Sequence, residues 1–266
     1  MTKRKPKSKP KTKPTRIALI AAGVLLVIAA VVSYYGTPKP VSASPLEFIQ
    51  ADFIDLSRIY SISKFRSGMG LDYSGGGESC RNMKHYFIPQ QDADALQYAA
   101  EHDGRAPAPN GKDDIPIYSP VDGFIASTRA ESNQAGHRIV IYPENAPGYK
   151  VSLFHITPSH GITGGTPVKA GQHIGVIGAH QTTDIDIQIG RMPWDNTSVS
   201  YFQVMPDRLF AAYQARGVTS RDDLIISRAY RDAHPLTCSG GRFVYPAIYD
   251  YGADIFKLSG YQATQR

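Results

Sequence analysis

The sequence is poor in the features that most readily announce a function. It has two cysteines, Cys80 and Cys238, and their spacing fits no zinc motif. No Gly-x-Ser-x-Gly occurs, which excludes a nucleophile elbow. The glycine run Gly75 to Gly77 is followed by Glu78 and Ser79 rather than Gly-Lys-Ser/Thr, so it is not a phosphate loop. No repeat with a period of roughly 20–50 residues is present, which excludes a solenoid or propeller. A basic domain is missing too. The net charge is +6, but the first sixteen residues, MTKRKPKSKPKTKPTR, carry eight bases and no acid. Taking those eight from 29 leaves 21 bases against 23 acids. The basicity belongs to a tail, and no nucleic-acid partner is expected.

What is present divides the chain into stretches of different texture. Lys-Pro alternation makes residues 1–16 an extended, disordered tail, because proline removes donors and fixes φ. Ile17 to Tyr35 is an uncharged apolar run. At ~1.5 Å per residue it spans roughly 28 Å, close to a bilayer core of about 30 Å. Tyr34 and Tyr35 fall where interfacial aromatics sit, and the basic tail places the N-terminus inside and the rest outside. The expectation is one transmembrane anchor over 17–36. The rival is a cleaved signal peptide, with Val41-Ser42-Ala43 as a small-residue cleavage site lying beyond the run. A Pro/Ser-containing linker and juxtamembrane segment cover 37–64, where Phe48, Phe53, Leu56 and Ile59 suggest a helix lying against the core.

Residues 65–195 read mainly as β: short alternating runs such as IPIYSPVDGFIAS, HRIVIYP and YKVSLFHI, broken by Gly, Pro and Asn. Gln90 to Asp114 interrupts them as a short helix followed by a loop. Residues 196–266 turn helical, in MPDRLFAAYQARG and SRDDLIISRAYRDAHP, with Ser220 and Asp223 spaced for an N-terminal cap. The fold class is mainly β, α+β overall: an antiparallel β-sheet core with β-hairpins and C-terminal helices. The outer side permits disulfides, so Cys80 and Cys238 are expected to pair, with two free buried thiols as the alternative. The aromatics, 10% of the chain, scatter along strands as core residues do.

The informative stretch is GTPVKAGQHIGVIGAHQTTDIDIQIG, Gly165 to Gly190. It ends in Asp184-Ile185-Asp186. Two carboxylates two residues apart on a strand share a face and require a cation, a shared proton or solvent between them. Three pieces recur in order: IPIYSPVDGFIAS with a turn at Asp122-Gly123, a hairpin ending in Phe154-His155, and a second hairpin ending in the Asp-x-Asp strand. Together they resemble the core of the lysostaphin/LytM-type zinc endopeptidases, which cut peptide cross-links in bacterial peptidoglycan. The resemblance covers about Arg66 to Gly190.

That resemblance implies zinc ligands from a His-x-Gly-x-Asp segment and from the second His of a His-x-His strand. The first His of that strand and a His ending the middle hairpin assist the attacking water. Here Asp72 matches the ligand aspartate, but Gly68 holds the ligand-histidine position. His155 matches the middle-hairpin histidine. Asp184 and Asp186 hold the two histidine positions of the last strand. His155 and Asp184 are thus the candidate catalytic residues, and Asp72 and Asp186 the candidate metal ligands. Zinc is expected to be lost. A Ca²⁺ or Mg²⁺ site on Asp72, Asp184 and Asp186 is the oxygen-rich alternative, with His85 and His180 as further donors for a rebuilt site. Glu78, Cys80, Arg81, Lys84 and His85 form a polar cluster that either lines the cleft or anchors the loop through Cys80, the structural reading being preferred. The functional expectation is a membrane-anchored, extracytoplasmic and catalytically inactive module that binds peptidoglycan or regulates a cell-wall hydrolase. The alternative is an active metalloendopeptidase with a rearranged metal site.

Overall fold

In the computed structural model the chain divides into two units, Met1–Pro38 and Lys39–Arg266. The structure describes residues 23–26, 46–89, 109, 111, 113–131, 136–190, 197–244 and 251–260. The basic tail, most of the Ile17–Tyr35 run, the first part of the linker and most of the Gln90–Asp114 insertion lie outside them. Among the described residues no helix is long and apolar enough to cross a membrane.

The second unit is built on antiparallel strands, in chain order: β1 (Ser61–Ser63), β2 (His85–Ile88), β3 (Ile115–Tyr118), β4 (Gly123–Ala130), β5 (His137–Pro143), β6 (Tyr149–Pro158), β7 (Pro167–Val168), β8 (His173–Ile177), β9 (Thr183–Ile189), β10 (Thr197–Val199), β11 (Cys238–Ser239), β12 (Arg242–Phe243) and β13 (Ile255–Lys257). The main sheet runs β13-β1-β2-β9-β6-β5-β4-β7, with β10 added to β9 and β8 bridging β6 to β3. β11 and β12 form a separate ribbon. The alternation read from the sequence is real. Ile139 and Ile141 of β5, Val151 and Leu153 of β6, and Ile185 and Ile187 of β9 are buried in one apolar core. Full burial of such a side chain stabilises by roughly 1.5–3 kcal/mol.

The expected hairpins are only partly formed. β5 and β6 pair as a hairpin. β3 and β4 do not pair with each other; β3 joins β8, and β4 joins β5 and β7. β8 and β9 likewise take other partners. At Gly123 a Cβ would collide with the Tyr142 carbonyl, so the turn read at Asp122-Gly123 is a glycine-dependent approach of two strands.

The helix expected before Ser63 is absent. Phe48 and Ile49 donate to the Val204 carbonyl, and Gln50 and Ala51 to that of Pro120, so their amides are used across the fold rather than along a helix. Only a 3₁₀ turn forms, Leu56–Arg58, with Asp55 accepting from the Ser57 amide. The C-terminal part is less helical than its periodicity suggests. Helix α1 covers Asp207–Gln214. The second stretch splits into a 3₁₀ turn, Arg221–Leu224, and helix α2, Arg228–Ala233. Ser220 and Asp223 do make the capping box. Past a short helix α3 (Tyr251–Asp254), the chain returns as β13 and pairs with β1.

Candidate functional site

The site lies on the face of β9 opposite the apolar core. Period-two alternation sends Ile185 and Ile187 into the core and Asp184, Asp186 and Gln188 the other way. Across from them on β6 stand Phe154 opposite Asp184 and Ser152 opposite Asp186. On β2, Tyr86 stands opposite Asp184. Neither carboxylate reaches solvent: Asp184 is 0% exposed and Asp186 1%.

A bulge aims His155. Between the pairs His137↔Ile156 and Ile139↔Leu153 the strand β6 carries one extra residue. β6 then leaves the main sheet to pair with β8. His155 sits at this switch with φ +62°, a conformation that a branched or bulky residue rarely adopts. Its amide donates to Glu131 at 2.7 Å, and its carbonyl accepts from the Gln181 side chain at 2.9 Å. Thus held, the ring lies between two carboxylates: Nδ1 is 3.0 Å from Glu131 Oε2, and Nε2 is 3.2 Å from Asp184 Oδ1.

The other oxygen of Asp184 contacts the Lys84 ammonium. Lys84 is buried, and its Nζ also lies over the rings of Phe154 at 3.9 Å, Tyr73 at 4.4 Å and Tyr86 at 5.5 Å. The result is a chain of alternating charge: Lys84, Asp184, His155, Glu131. These close approaches join oppositely charged side chains.

Electrostatics follow from this order. Burial alone would push the His155 imidazole down, but Asp184 and Glu131 outweigh it and hold the ring up at about 9. Burial pushes the Asp184 carboxyl up, and Lys84 and His155 more than offset it, leaving it below the usual range. Glu131 is lowered in the same way by His155 against burial. At neutral pH the chain therefore carries two positive and two negative charges.

Asp186 is separate. It accepts from Ser198 at 2.8 Å and from Tyr73 at 2.9 Å. Burial dominates there and raises its carboxyl to about 6 despite those bonds. Burial and then Asp186 push the Tyr73 phenol well up.

Tyr73 arrives on a flap, Ser67 to Asn82, that folds over this face. Arg66 and Arg81 grip Glu78 at 2.7 and 2.8 Å, and Arg81 also reaches Asp232 at 2.8 Å. The Asp72 amide donates to Gly241, and Cys80 is disulfide-bonded to Cys238 of the β11–β12 ribbon. The expected pairing is present. Gly70, at φ +77°, lies flat on Tyr86, where a Cβ would collide with the phenol ring.

The flap turns Tyr73 inward and leaves Asp72 with local partners. Asp72 Oδ1 accepts from Ser74 Oγ at 2.6 Å and from the Arg81 amide at 3.2 Å. The Gly68 position is filled: a Cβ would lie 3.1 Å from Asp254 Oδ2 and from Leu236 Cδ1, and its amide donates to that same oxygen. Asp254 is in turn paired with Arg231 at 2.6 Å. His85 is also spoken for. It is buried between the Ser63 carbonyl and Ser200 Oγ, and burial lowers it to about 4.

The shared cation site on Asp72, Asp184 and Asp186 is therefore not assembled. Among the described residues no three His, Cys, Asp or Glu side chains come together to hold a metal ion. Of the polar cluster around Cys80, Glu78 and Arg81 pair within the flap and Cys80 bridges to Cys238, whereas Lys84 enters the site and His85 is buried on β2. Sequence reading passed over Glu131 and Tyr73 entirely. Alternation carried back one residue from the start of β2 would have put Lys84 and Tyr86 on one face, but only the long-range pairing of β2 with β9 tells which face that is.

No protein-family model matches the chain, and no curated protein does. Solved structures do align with it. The catalytic domain of the antimicrobial peptidase lysostaphin from Staphylococcus simulans aligns with a TM-score of 0.34 and 14% identity, over 54% of this chain and 90% of that domain. A solution structure of lysostaphin gives 0.32 and 13%, over 51% of this chain and 47% of that one, so this chain spans about half of its length. A chain of the SpoIIQ–SpoIIIAH pore-forming complex gives 0.38 and 11%, over 64% of this chain and 98% of that one. The structural neighbours are LytM-like. At such scores and identities the chemistry of the site has to come from its own side chains.

Those side chains do not fit the zinc of LytM-type peptidases. A ligating imidazole must be neutral with a free lone pair. His155 has a carboxylate at each nitrogen, and deprotonating it at pH 7 costs about 3 kcal/mol. Asp184 already has a cation at each oxygen. Gly68 offers no donor atom. No metal-activated water follows from this arrangement, and His155, as an imidazolium, is not a general base.

Proposed function

We propose that this protein is a non-hydrolytic module of the bacterial envelope. Its N-terminal run anchors it in the cell membrane with the N-terminus inside, and its β core faces outward. There it binds peptidoglycan or regulates a wall hydrolase. One observation carries the non-hydrolytic part: both oxygens of Asp184 and both nitrogens of His155 are already engaged by charged side chains of the chain itself. The location is supported by the uncharged run Ile17 to Tyr35 and the basic tail before it. The wall is supported by the resemblance of Arg66 to Gly190 to the LytM core.

The test uses the full-length chain in detergent. Its metal content is measured after dialysis against trace zinc, and it is then mixed with purified peptidoglycan with and without chelator. The expected result is no stoichiometric zinc, no release of peptide fragments, and co-sedimentation that chelator leaves unchanged. One tightly held zinc per chain with chelator-sensitive cleavage refutes the proposal and establishes the peptidase reading.

A further inference from the structure

Two arginines beside the charged chain support a more specific statement, one that rests on the wall-binding reading. We propose that Arg129 and Arg138, on the same face of the sheet as Asp184 and Asp186, form a receptor for a carboxylate of a peptide ligand.

Three features carry this. First, the two residues stand directly opposite each other on β4 and β5. The adjoining pair is Thr128 and Ile139, and Ile139 points into the apolar core. Alternation therefore puts both arginines on the face away from the core. Like charges directly opposite on paired strands are destabilising. An anion held by both removes that cost.

Second, the chain's own carboxylates do not supply the anion. Among the described residues neither guanidinium belongs to an ion pair. The carboxylates of this face are committed elsewhere. Glu131 Oε2 serves the ring and amide of His155, and Asp184 serves Lys84 and His155. Asp186 accepts from Ser198 and Tyr73.

Third, Arg138 is held in place. Its Nη2 donates to Ser152 Oγ at 2.9 Å, and its Cζ lies 4.8 Å from the centre of the Phe154 ring. The side chain is half-buried, and that of Arg129 is exposed. A planar guanidinium fixed in this way, with Nη1 unbonded among the described residues, offers an edge that suits a planar carboxylate. Arg129 adds charge from the solvent side.

The test uses the full-length chain in detergent and four probes. Acetyl-D-Ala-D-Ala carries a chain-terminal carboxylate, and acetyl-D-Glu amide carries only a side-chain one. Acetyl-D-Ala-D-Ala amide carries none, and inorganic phosphate is a different anion. The Arg138 Nε–H is buried and without an acceptor, so it is protected and can be followed by ¹⁵N NMR. The expected result is a saturable shift with a carboxylate peptide and none with the amide. The stronger of the two carboxylate peptides tells whether a chain end or a side chain is bound. Binding to variants is followed through the Ser152 backbone amide. Arg138→Gln should weaken it about tenfold or more, and Arg138→Lys, which keeps the charge and loses the fork, should not restore it. Arg129→Gln should weaken it about two- to fivefold without lowering the melting midpoint, since it also relieves the like-charge pair.

The inference is overturned if neither carboxylate peptide binds saturably, if the amide binds as tightly, or if phosphate binds more tightly than either peptide. If Arg138→Gln does not fold, Arg129→Gln decides, and unchanged affinity in that variant overturns the inference. Failure here and failure of the wall-binding reading are separable. Intact peptidoglycan that co-sediments while no carboxylate peptide binds overturns the receptor alone. Carboxylate peptides that bind while intact peptidoglycan does not co-sediment support the receptor and refute the wall-binding reading.

Discussion

A protonated His155 at neutral pH is the most direct consequence of the site's geometry. The ring is 14% exposed, so most of its field comes from protein rather than water. Its ordinary value of 6.5 is raised to about 9. Through linkage, this group's stabilisation is fully present below pH 6.5 and is lost as pH rises through about 9. Its full size is about 3 kcal/mol. Replacing Glu131 by Gln removes the charge at Nδ1 while keeping an oxygen near the His155 amide. With one carboxylate gone, burial has less to overcome, and the imidazole is expected to titrate at least a unit lower. The assay is side-chain ¹⁵N NMR of the His155 ring in the full-length chain, from about pH 6 to about pH 10. In parallel, urea unfolding should show wild type losing stability across the alkaline limb more steeply than Glu131→Gln. A wild-type ring that titrates at or below 6.5 refutes the reasoning, because it makes His155 a neutral imidazole at pH 7 with a lone pair to offer.

Two further outcomes test other parts of the fold. Asp52 is a buried carboxyl raised by burial from 3.8 to about 6, even though Tyr213 donates to it at 2.6 Å and Tyr201 at 3.1 Å. The native state holds its proton more tightly than the unfolded chain. The difference in unfolding free energy between wild type and Asp52→Asn should therefore fall by about 2 kcal/mol from pH 4 to pH 7; parallel curves refute it. The Cys80–Cys238 bridge closes a separation of 158 residues and pins the flap to the β11–β12 ribbon. Its removal by paired Cys→Ser changes should cost about 2–5 kcal/mol and speed amide exchange at Asp72 and Tyr73. Unchanged melting and exchange would show that the flap's ion pairs hold it unaided.

The parts of this site that were legible in the sequence are those fixed by local alternation. Asp184-Ile185-Asp186 announces a strand with two carboxylates on one face, and β9 is that strand. The Ser220–Asp223 cap and helix α1 are local in the same sense. What was not legible depends on long-range pairing. Phe48, Phe53, Leu56 and Ile59 have helical spacing, yet their segment is held by carbonyls of Val204 and Pro120 from distant parts of the chain. The bulge that turns His155 exists because β6 changes partners from β5 and β9 to β8. Glu131 enters the site only because that bulge brings the His155 amide to it. Lys84 reads as one more cation after a glycine run until β2 is laid beside β9.

The same dependence explains why the site must be understood as a set. Breaking a buried ion pair by removing one partner is far more damaging than exchanging the whole group, because the survivor is left as an uncompensated buried charge. Asp184 lies between Lys84 and His155, and His155 lies between Asp184 and Glu131. Changing any one of the four alters the charge felt by at least one neighbour. A histidine placed at position 184 alone would supply an imidazole and simultaneously strand two cations. A histidine at 68 would have to displace Asp254, which is itself the partner of Arg231. A change to metal chemistry therefore has to displace both cations that Asp184 already holds, Lys84 at one oxygen and His155 at the other.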